Sequence, residues 1–293
     1  MKRVVCVGGA VVDRKYVLRS GIVLGTSNPA SSSVSAGGVA RNVAENLARL
    51  GVPSSLVARV GDDAAGADLL RHTASAGVDV SAVVAAGSTA EYVAVLDPHG
   101  ELVLGVAAME VLEGLSVADV TAAWPSGGWV FADCNPPARV LAAAVARARE
   151  TGVPLAVDAV STPKAVKLPR DLTGVAVLFC NGDEARALAG AHLSDDDAAA
   201  DLHRAGAGAV VLTRGSGGVL LADDDGIRSL AAHPAAVVDV TGAGDALVAG
   251  TLAGLVAGEH LDRAAAEGVR LAAWTVESPH TVRPETPPWK EIR

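Results

Sequence analysis

The hydrophobic residues of this chain form short runs rich in valine and leucine, and alanine-rich stretches with helical spacing separate these runs. Short, continuous apolar runs of this kind are typical of strands that are buried on both faces of a parallel sheet. The predicted strands are residues 4–7, 56–60, 129–132, 155–158, 175–180 and 209–213. The predicted helices are residues 38–50, 63–76, 138–151, 183–189, 195–205, 243–257 and 260–277. This alternation predicts an α/β fold with three αβα layers and a mainly parallel central sheet.

Two segments interrupt the alternation. Residues 14–36 contain Ser-Asn-Pro and a serine run and show no helical period, whereas residues 89–107 contain two apolar runs around a turn at 97–100. Proline and glycine in that turn indicate a β-hairpin. We expect both segments to form a small β-rich lid over one end of the sheet. Neither has a core of its own, so residues 1–293 are interpreted as a single domain.

Composition and charge exclude several classes of protein. The 293 residues carry a net charge of −9, which disfavours a nucleic-acid-binding surface. The three cysteines form no CxxC pair, so neither a disulfide framework nor a zinc site is expected. No apolar run is long enough to span a membrane, and the short run after Met1 is interpreted as a strand rather than a signal peptide. A cytoplasmic protein is expected.

The segment from Asp239 to Ala246, Asp-Val-Thr-Gly-Ala-Gly-Asp-Ala, carries the strongest chemical signal. A strand is predicted before it at residues 235–238, and a helix is predicted after it. Small residues at a helix N-terminus allow backbone N–H groups to surround an anion, and the helix dipole favours negative charge there. A carboxylate in that first turn would repel a phosphate, but Asp245 could accept a proton from an attacking hydroxyl group. The alternative is an ordinary glycine-rich turn.

Two further segments place polar residues at the start of predicted helices. Gly37 and Gly38 precede the helix that contains Asn42, whose amide could both donate hydrogen bonds to a polyhydroxylated substrate and accept them from it. Asn181 and Glu184 lie one turn apart and could hold the same water or metal ion. The structural alternatives are a plain helix start with an exposed Asn42 and a capping box formed by Asn181 and Glu184.

A glycine-rich turn joins two apolar runs between Thr213 and Gly218, with Gly215 inside it. Its bare backbone could lie against a phosphate chain, although a simple hairpin turn explains it equally well. The chain contains neither the GxxxxGK[ST] motif of P-loop enzymes nor the complete dinucleotide-binding fingerprint. These absences exclude a P-loop enzyme and argue against a dinucleotide-dependent oxidoreductase.

Taken in order, these segments resemble the ribokinase-like carbohydrate kinase family over nearly the whole chain. The matching motifs are Gly8-Gly9 with Asp13, Gly37-Gly38 with Asn42, Asn181 with Glu184, Thr213 to Gly218, and Thr241-Gly-Ala-Gly-Asp245. Other segments resemble the pseudouridine kinase branch of that family: Thr26-Ser27-Asn28-Pro29, Ala132-Asp133-Cys134-Asn135, and Val157-Asp158 followed by Val160-Ser161 and Lys164.

The resemblance implies an ATP-dependent kinase that phosphorylates the 5′-hydroxyl of pseudouridine. It implies that Asp245 is the general base and that Gly242, Ala243 and Gly244 form an anion hole. The substrate-binding residues that it implies are Asp13, Asn28, Gly37, Gly38, Asn42, Asn135 and Lys164. The nucleotide-binding residues that it implies are Asn181, Thr213, Gly215 and Gly218. Glu184 would hold Mg²⁺ through water, and Asp239 with Thr241 would hold a monovalent cation such as K⁺.

Other functions stay open from the sequence. One alternative is a kinase for another nucleoside or a free sugar, of the ribose, adenosine or fructose type. A less favoured alternative is a non-catalytic protein that binds nucleosides or sugar phosphates. The expected partner is a second copy of the chain, because the unpaired strand edges of the lid invite pairing. Nucleic acid and membranes are not expected partners.

Overall fold

The computed structural model describes residues 2–285 and residue 287, so Met1, Thr286 and residues 288–293 of the predicted domain lie outside the described residues. The strands in the described part are β1 (Val4–Val7), β2 (Val11–Leu18), β3 (Ala30–Gly37), β4 (Ser54–Val57), β5 (Arg59–Val60), β6 (Val84–Ala85), β7 (Glu91–Leu96), β8 (Leu102–Ala108), β9 (Trp129–Asp133), β10 (Leu155–Asp158), β11 (Val175–Asn181), β12 (Val210–Thr213), β13 (Val219–Asp223) and β14 (Gly226–Leu230). The α-helices are α1 (Val39–Arg49), α2 (Ala64–Ser75), α3 (Val117–Ala123), α4 (Ala138–Thr151), α5 (Thr162–Ala165), α6 (Gly182–Ala189), α7 (Asp195–Arg204), α8 (Ala243–Val256) and α9 (Leu261–Val276).

Eight strands form one large sheet in the order β14-β13-β12-β11-β10-β9-β1-β4. The pairs from β4 to β12 are parallel, and β13 and β14 are added to the edge in antiparallel orientation. The turn between β12 and β13 contains Gly215–Gly217 as a short 3₁₀ helix, so the predicted hairpin is confirmed. The carboxyl ends of the parallel strands therefore meet at one edge, where ligands bind in sheets of this kind.

Helices cover both faces of this sheet. Alternate residues of β1 point to opposite sides: Val4 and Cys6 belong to a core that includes α1, α8 and α9, whereas Val5 and Val7 belong to a core that includes α4, α6 and α7. Because strand side chains alternate between the faces, each strand must be apolar at every position. The predicted three-layer αβα fold with a mainly parallel sheet is confirmed.

A separate four-stranded sheet, which we call the lid, has the order β3-β2-β7-β8. It contains both segments that interrupt the helix–strand alternation, and β7 and β8 form the predicted hairpin. The strands extend beyond the expected limits, because β2 begins at Val11 and β3 ends at Gly37. Asp13 and Lys15 share one face of β2, and Arg14 and Tyr16 share the other.

The predicted strand at residues 235–238 is wrong. The segment has no regular structure; Val237 and Val238 are 63% exposed, and the Val238 N–H donates to the carbonyl of Val276 at 2.7 Å. Val237 lines an open cavity, so its apolar side chain belongs to a wall of that cavity rather than to a buried strand. The three cysteines are buried and free. None of the helices in residues 2–285 is both long and apolar enough to cross a lipid bilayer.

Candidate active site

The N-terminus of α8 opens at the carboxyl edge of the large sheet. Gly242 precedes this helix with a φ of 83°, and a Cβ atom at this position would collide with the carbonyl oxygen of Thr281. The first helical hydrogen bond runs from Ala246 N–H to the Gly242 carbonyl at 2.9 Å, so the N–H groups of Gly244 and Asp245 precede it. The N–H of Ala243 instead donates to Val240 at 3.2 Å. A Cβ at Gly244 would meet open space, so this backbone faces the cleft.

The carboxylate of Asp245 faces a cavity of about 200 Å³ that Gly244, Asp158, Asn181 and Glu184 also line. Its Oδ2 accepts a hydrogen bond from Nδ2 of Asn42 at 2.6 Å. Burial raises the pKa of Asp245 to about 7, although Asn42 and the charge of Arg41 both oppose this increase. A carboxylate with this pKa is suited to take a proton from a hydroxyl group near neutral pH.

Asp13 lies on the lid, on the face of β2 that points toward the cleft. A Cβ at Gly37 would collide with its carboxylate, and a Cβ at Gly38, whose φ is 95°, would collide with the carbonyl of Gly9. Burial raises the pKa of Asp13 to about 6, and Arg41 and Lys15 oppose the increase. Its carboxylate accepts no hydrogen bond from any residue in the described ranges, so both oxygens are available to a ligand.

Asp133 holds the edge of the site together, a role that the sequence did not reveal. This residue is fully buried at the end of β9. Its Oδ2 accepts from the N–H groups of Gly9 at 2.8 Å and Ala40 at 2.9 Å, and its Oδ1 accepts from Asn135 N–H at 2.8 Å. Asp133 therefore joins the end of β1, the start of α1 and the loop after β9. The available signal was a carboxylate at the end of an otherwise apolar strand.

Asn135 and Lys164 form a polar pair beside this edge. Lys164 Nζ donates to Asn135 Oδ1 at 2.6 Å, and Lys167 Nζ donates to the Asn135 backbone carbonyl at 2.8 Å. Burial lowers the pKa of Lys164. Lys164 follows Val160, whose φ of 67° is strained for a β-branched residue. Strained backbone of this kind is concentrated at functional sites.

Asn181 and Glu184 form a capping box at the start of α6. Asn181 Oδ1 accepts from Glu184 N–H at 2.9 Å, Glu184 Oε2 accepts from Asn181 N–H at 2.8 Å, and Glu184 Oε1 accepts from Asn181 Nδ2 at 2.8 Å. Burial raises the pKa of Glu184. Burial, reinforced by Asp245, Glu184 and Asp133, also raises the pKa of Asp158 well above its ordinary value. The capping box that was the structural alternative for Asn181 and Glu184 is therefore confirmed. Both residues also line the cavity that contains the Asp245 carboxylate.

A second cavity of about 570 Å³ adjoins the first, and Thr213, Gly244 and Leu247 line both. Gly215 and Gly218 also line the larger cavity. Its other lining residues are mainly apolar and include Val237, Val240, Val269, Ala272 and Val276. The apolar cavity and the cavity of Asp245 therefore adjoin at Gly244, next to the Asp245 carboxylate in the chain.

Three predicted site residues have other contacts. The side chain of Asn28 hydrogen-bonds with the backbone of Val23 and Thr26, within its own lid loop. Asp239 Oδ1 accepts from both the N–H and Oγ1 of Thr241, and Asp239 Oδ2 pairs with Lys15 Nζ at 3.0 Å. The structure therefore does not bring Asn28 into contact with Asp245 or Asn42.

Known proteins share this architecture and its motifs. A model for pfkB family carbohydrate kinases matches residues 1–287. The chain belongs to the pfkB family of carbohydrate kinases. A pseudouridine kinase from Escherichia coli (strain K12) is 34% identical over 257 residues, which cover 84% of this chain and 82% of that protein. The pfkB family membership makes this chain a phosphotransferase with an alcohol group as acceptor.

Solved structures agree with this assignment. A carbohydrate kinase from Agrobacterium tumefaciens superposes with a TM-score of 0.82 at 32% identity and covers 96% of this chain and 93% of that chain. A ribokinase from Thermotoga maritima superposes with a TM-score of 0.85 at 18% identity, over 97% of this chain and 96% of that chain. The fold of this pfkB family member is therefore ribokinase-like, and it acts as a sugar or nucleoside kinase.

Proposed function

We propose that this protein transfers the γ-phosphoryl group of ATP to the 5′-hydroxyl of pseudouridine, with Asp245 as general base. One observation carries the proposal: the Asp245 carboxylate and the Gly244 backbone line the same cavity at the N-terminus of α8. The acceptor hydroxyl and the transferring phosphoryl group can therefore meet within about one side-chain length of the base. Phosphoryl transfer depends mainly on such positioning and on charge stabilisation.

The proposed reaction proceeds in one displacement. Asp245 removes the proton of the 5′-hydroxyl, the alcohol oxygen forms a bond to the γ-phosphorus, and the bond from that phosphorus to the leaving oxygen of ADP breaks. The N–H groups of Gly244 and Asp245 at the start of α8, together with the helix dipole, would stabilise negative charge on the phosphoryl oxygens. Gly242 would shape the turn before them, and the expected contribution of the Ala243 N–H is replaced by its hydrogen bond to the Val240 carbonyl. ATP is assigned to the larger cavity at Thr213, Gly215 and Gly218, because that cavity leads directly to Gly244.

The nucleoside is assigned to the space under the lid. Asp13, with no hydrogen-bond partner in the described residues, is suited to accept hydrogen bonds from ribose hydroxyls. Gly37 lies against its carboxylate, and Gly38 and Asn42 follow at the start of α1. Asn135 and Lys164 would contact the base, since they form a joined polar pair at the carboxyl edge of the sheet. The similarity to the Escherichia coli pseudouridine kinase supports this acceptor. Asn28 would act indirectly, through the shape of its lid loop.

The donor groups around the smaller cavity suit Mg²⁺, which prefers oxygen ligands and keeps much of its water shell. Asp158, Asn181 and Glu184 would hold it through water, and the ion would neutralise phosphate charge. Among residues 2–285, no group of three His, Cys, Asp or Glu side chains is arranged to hold a metal ion directly. Asp239 and Thr241 do not suit K⁺, because the ammonium group of Lys15 already pairs with that carboxylate.

A second copy of the chain is the proposed partner, through the lid. One row of paired residues crosses the four strands of the lid: Val34 on β3, Arg14 on β2, Val93 on β7 and Val106 on β8. This row lies on the face of the lid that is opposite to the face with Asp13. Leu104 lies on the same face, and Val34, Leu104 and Val106 are 61%, 51% and 49% exposed. Apolar patches exposed in this way mark interaction surfaces.

A substrate panel tests the proposed function. ATP and Mg²⁺ would be incubated with pseudouridine, uridine, adenosine, ribose or fructose, with ADP release and product mass as readouts. The expected result is preferred phosphorylation of pseudouridine at its 5′-oxygen. Turnover of ribose or fructose with inert pseudouridine would instead support the kinase for another nucleoside or sugar.

The variant Asp245→Asn tests the mechanism. It should bind the nucleoside with an unchanged Kd, because the amide oxygen can still accept from Asn42. It should also lower kcat by about 10²–10⁴-fold, the usual contribution of a general base. Asp62→Asn changes an exposed carboxylate and serves as the control. Full activity of Asp245→Asn would refute the role of this residue.

A further inference from the structure

Arg41 is a buried cation that the proposed mechanism has not used. It lies on α1 and is 1% exposed, which is rare for an arginine. Its Nε donates to the Gly37 carbonyl and its Nη2 to the Ala36 carbonyl, both at 3.1 Å. Its Nη1 pairs with Glu45, which is one helical turn away. These contacts engage all three nitrogen atoms of the guanidinium group.

The remaining contact leads to the reacting centre. Arg41 Nη2 also donates to Asn42 Oδ1, and Asn42 Nδ2 donates to Asp245 Oδ2 at 2.6 Å. An amide has one oxygen that accepts and one nitrogen that only donates, and a guanidinium only donates. With its oxygen held by Arg41, the amide must turn its nitrogen toward Asp245. The carboxylate can accept this hydrogen bond while it is ionised, and its second oxygen stays open to the cavity.

We propose that Arg41 is a positioning residue that fixes the orientation of the Asn42 amide and thereby holds Asp245 as an ionised, correctly aligned base. Without Arg41, the amide could rotate and present its oxygen to Asp245. An oxygen there favours the protonated carboxyl group, which cannot accept a proton. This inference depends on the proposed function in one respect, namely that Asp245 acts as the catalytic base.

The charges around Asp245 make this arrangement necessary. Asp13 of β2 and Asp133 of β9 disfavour the ionised form of Asp245, and the charge of Asp245 in turn helps to raise the pKa of Asp158 on β10. Arg41, on α1, is the cation among these groups that favours ionisation. Its own charge is balanced by Glu45 on the same helix.

The chain offers a matched control for Arg41. Arg49 also lies on α1 and also binds Glu45, through Nε at 2.9 Å and Nη2 at 2.6 Å. Its Nη1 donates to the carbonyl of Pro284 at 2.7 Å and not to Asn42. Loss of Arg49 therefore weakens the same carboxylate pair without releasing the Asn42 amide.

The experiment measures the titration of Asp245 directly, in the intact protein. Aspartate side chains would be labelled with ¹³C at the carboxyl carbon, and the Asp245 signal would be assigned with Asp245→Asn. We expect Arg41→Met and Arg41→Lys to raise the pKa of Asp245 by about one unit or more, the usual effect of losing a charge-assisted partner. Arg41→Lys keeps a positive charge against Glu45, so it remains informative if Arg41→Met does not fold. Arg49→Met should leave this pKa unchanged.

A second comparison separates positioning from a simple charge effect. In the background of Asn42→Ala, replacement of Arg41 by Met should shift the pKa of Asp245 much less, because the amide that transmits the effect is gone. An unchanged Asp245 titration in Arg41→Met and Arg41→Lys would overturn the proposal, and so would an equal shift with and without Asn42. If no acceptor is phosphorylated, the proposed function fails, yet this titration still decides the role of Arg41.

Discussion

The carboxyl groups of the cleft differ in their pKa values and in the hydrogen bonds that they accept. Asp13 and Asp245 have raised pKa values of about 6 and about 7 because burial outweighs the nearby cations. Asp133, in contrast, accepts three backbone hydrogen bonds and acts as a structural centre. All three are aspartates, so their different roles depend on their surroundings rather than on residue type.

The raised pKa of Asp245 predicts a pH-dependent stability. The folded state binds the proton of Asp245 up to about pH 7, whereas an unfolded aspartate loses it near pH 4. Stability therefore falls as pH rises from about 4 to about 7. The amide of Asp245→Asn does not titrate, so this variant does not lose stability in this way. Its unfolding free energy minus that of the parent should therefore increase by about 1–4 kcal/mol from pH 4 to pH 7. Urea denaturation at pH 4, 6 and 8 measures it.

Asp62→Asn is again the control, since Asp62 is exposed and its side chain makes no contact in the site. The unfolding free energy of Asp62→Asn should stay within about 0.5 kcal/mol of that of the parent, as is usual for surface substitutions. A pH-independent difference for Asp245→Asn would show that burial does not penalise the ionised carboxylate.

At the level of elements, two glycines at the N-terminus of α8 differ in role. Gly242 is required by the backbone conformation, whereas Gly244 is proposed to serve the chemistry. Gly242 needs its positive φ, and its neighbour Thr281 leaves no room for a side chain. Gly244 lies within the helix and faces open space. Gly242 is therefore required by the fold, and Gly244 keeps the cavity clear for the anion that we propose to bind there.

We expect Gly242→Ala to lower the unfolding free energy by about 1–2 kcal/mol or more, the cost of a left-handed residue with a Cβ. Gly244→Ala should leave stability equal or higher by about 0.5–1 kcal/mol, because alanine is favoured inside helices. Its methyl group lies in the cavity, so kcat should fall about tenfold or more, equivalent to about 1.4 kcal/mol. Denaturation and steady-state kinetics give both values. A fully active Gly244→Ala variant would contradict the anion hole.

The capping box of α6 joins a structural element to the proposed Mg²⁺ site. Glu184→Gln keeps an oxygen that can accept from Asn181 N–H, so stability should change by less than about 1 kcal/mol. The Mg²⁺ concentration for half-maximal activity should rise by about 10–100-fold, as for other outer ligands of metals. A magnesium titration of kcat measures this effect.

Helix α3 supplies the matched comparison, since Ser116 and Asp119 form a capping box there too. Asp119 also pairs with Arg59 at 3.3 Å, so Asp119→Asn should lower stability at least as much as Glu184→Gln does, and it should leave the Mg²⁺ requirement unchanged. Equal magnesium dependence of Glu184→Gln and the parent would remove Glu184 from the proposed site.

At the level of the whole molecule, the lid presents two different faces. One face carries Asp13 and Lys15 toward the cleft, and Lys15 reaches Asp239 beside the anion-binding turn. The opposite face carries exposed Val34, Leu104 and Val106. A second chain on that face would place both lids of the proposed dimer together and leave both clefts open.

Leu104→Glu should therefore weaken the dimer by about 100-fold or more, equivalent to about 2.7 kcal/mol, because a charge would replace a buried side chain. Analytical ultracentrifugation over a concentration series measures the dissociation constant. Ile227→Glu changes a comparably exposed residue on the edge strand β14 and should leave the assembly unchanged. A parent protein that is monomeric at all concentrations would refute the lid interface.

The sequence alone determined the alternating strands and helices, the β-rich lid and the glycine-rich turn before α8. These features depend on local periodicity and local turn chemistry, which neighbouring residues fix. The failed strand at 235–238 shows the limit of this reasoning, because an apolar run can also line an open cavity.

Only the tertiary structure decided which polar groups meet. Asn42 and Asp245 are 203 positions apart, Lys15 and Asp239 are 224 apart, and Gly9 and Asp133 are 124 apart. The burial and the contacts of Arg41 were likewise not predicted from the sequence, since an arginine within an amphipathic helix is normally exposed. Hydrogen bonds and electrostatic shifts act through space over a few ångströms, so the order of residues along the chain does not specify them.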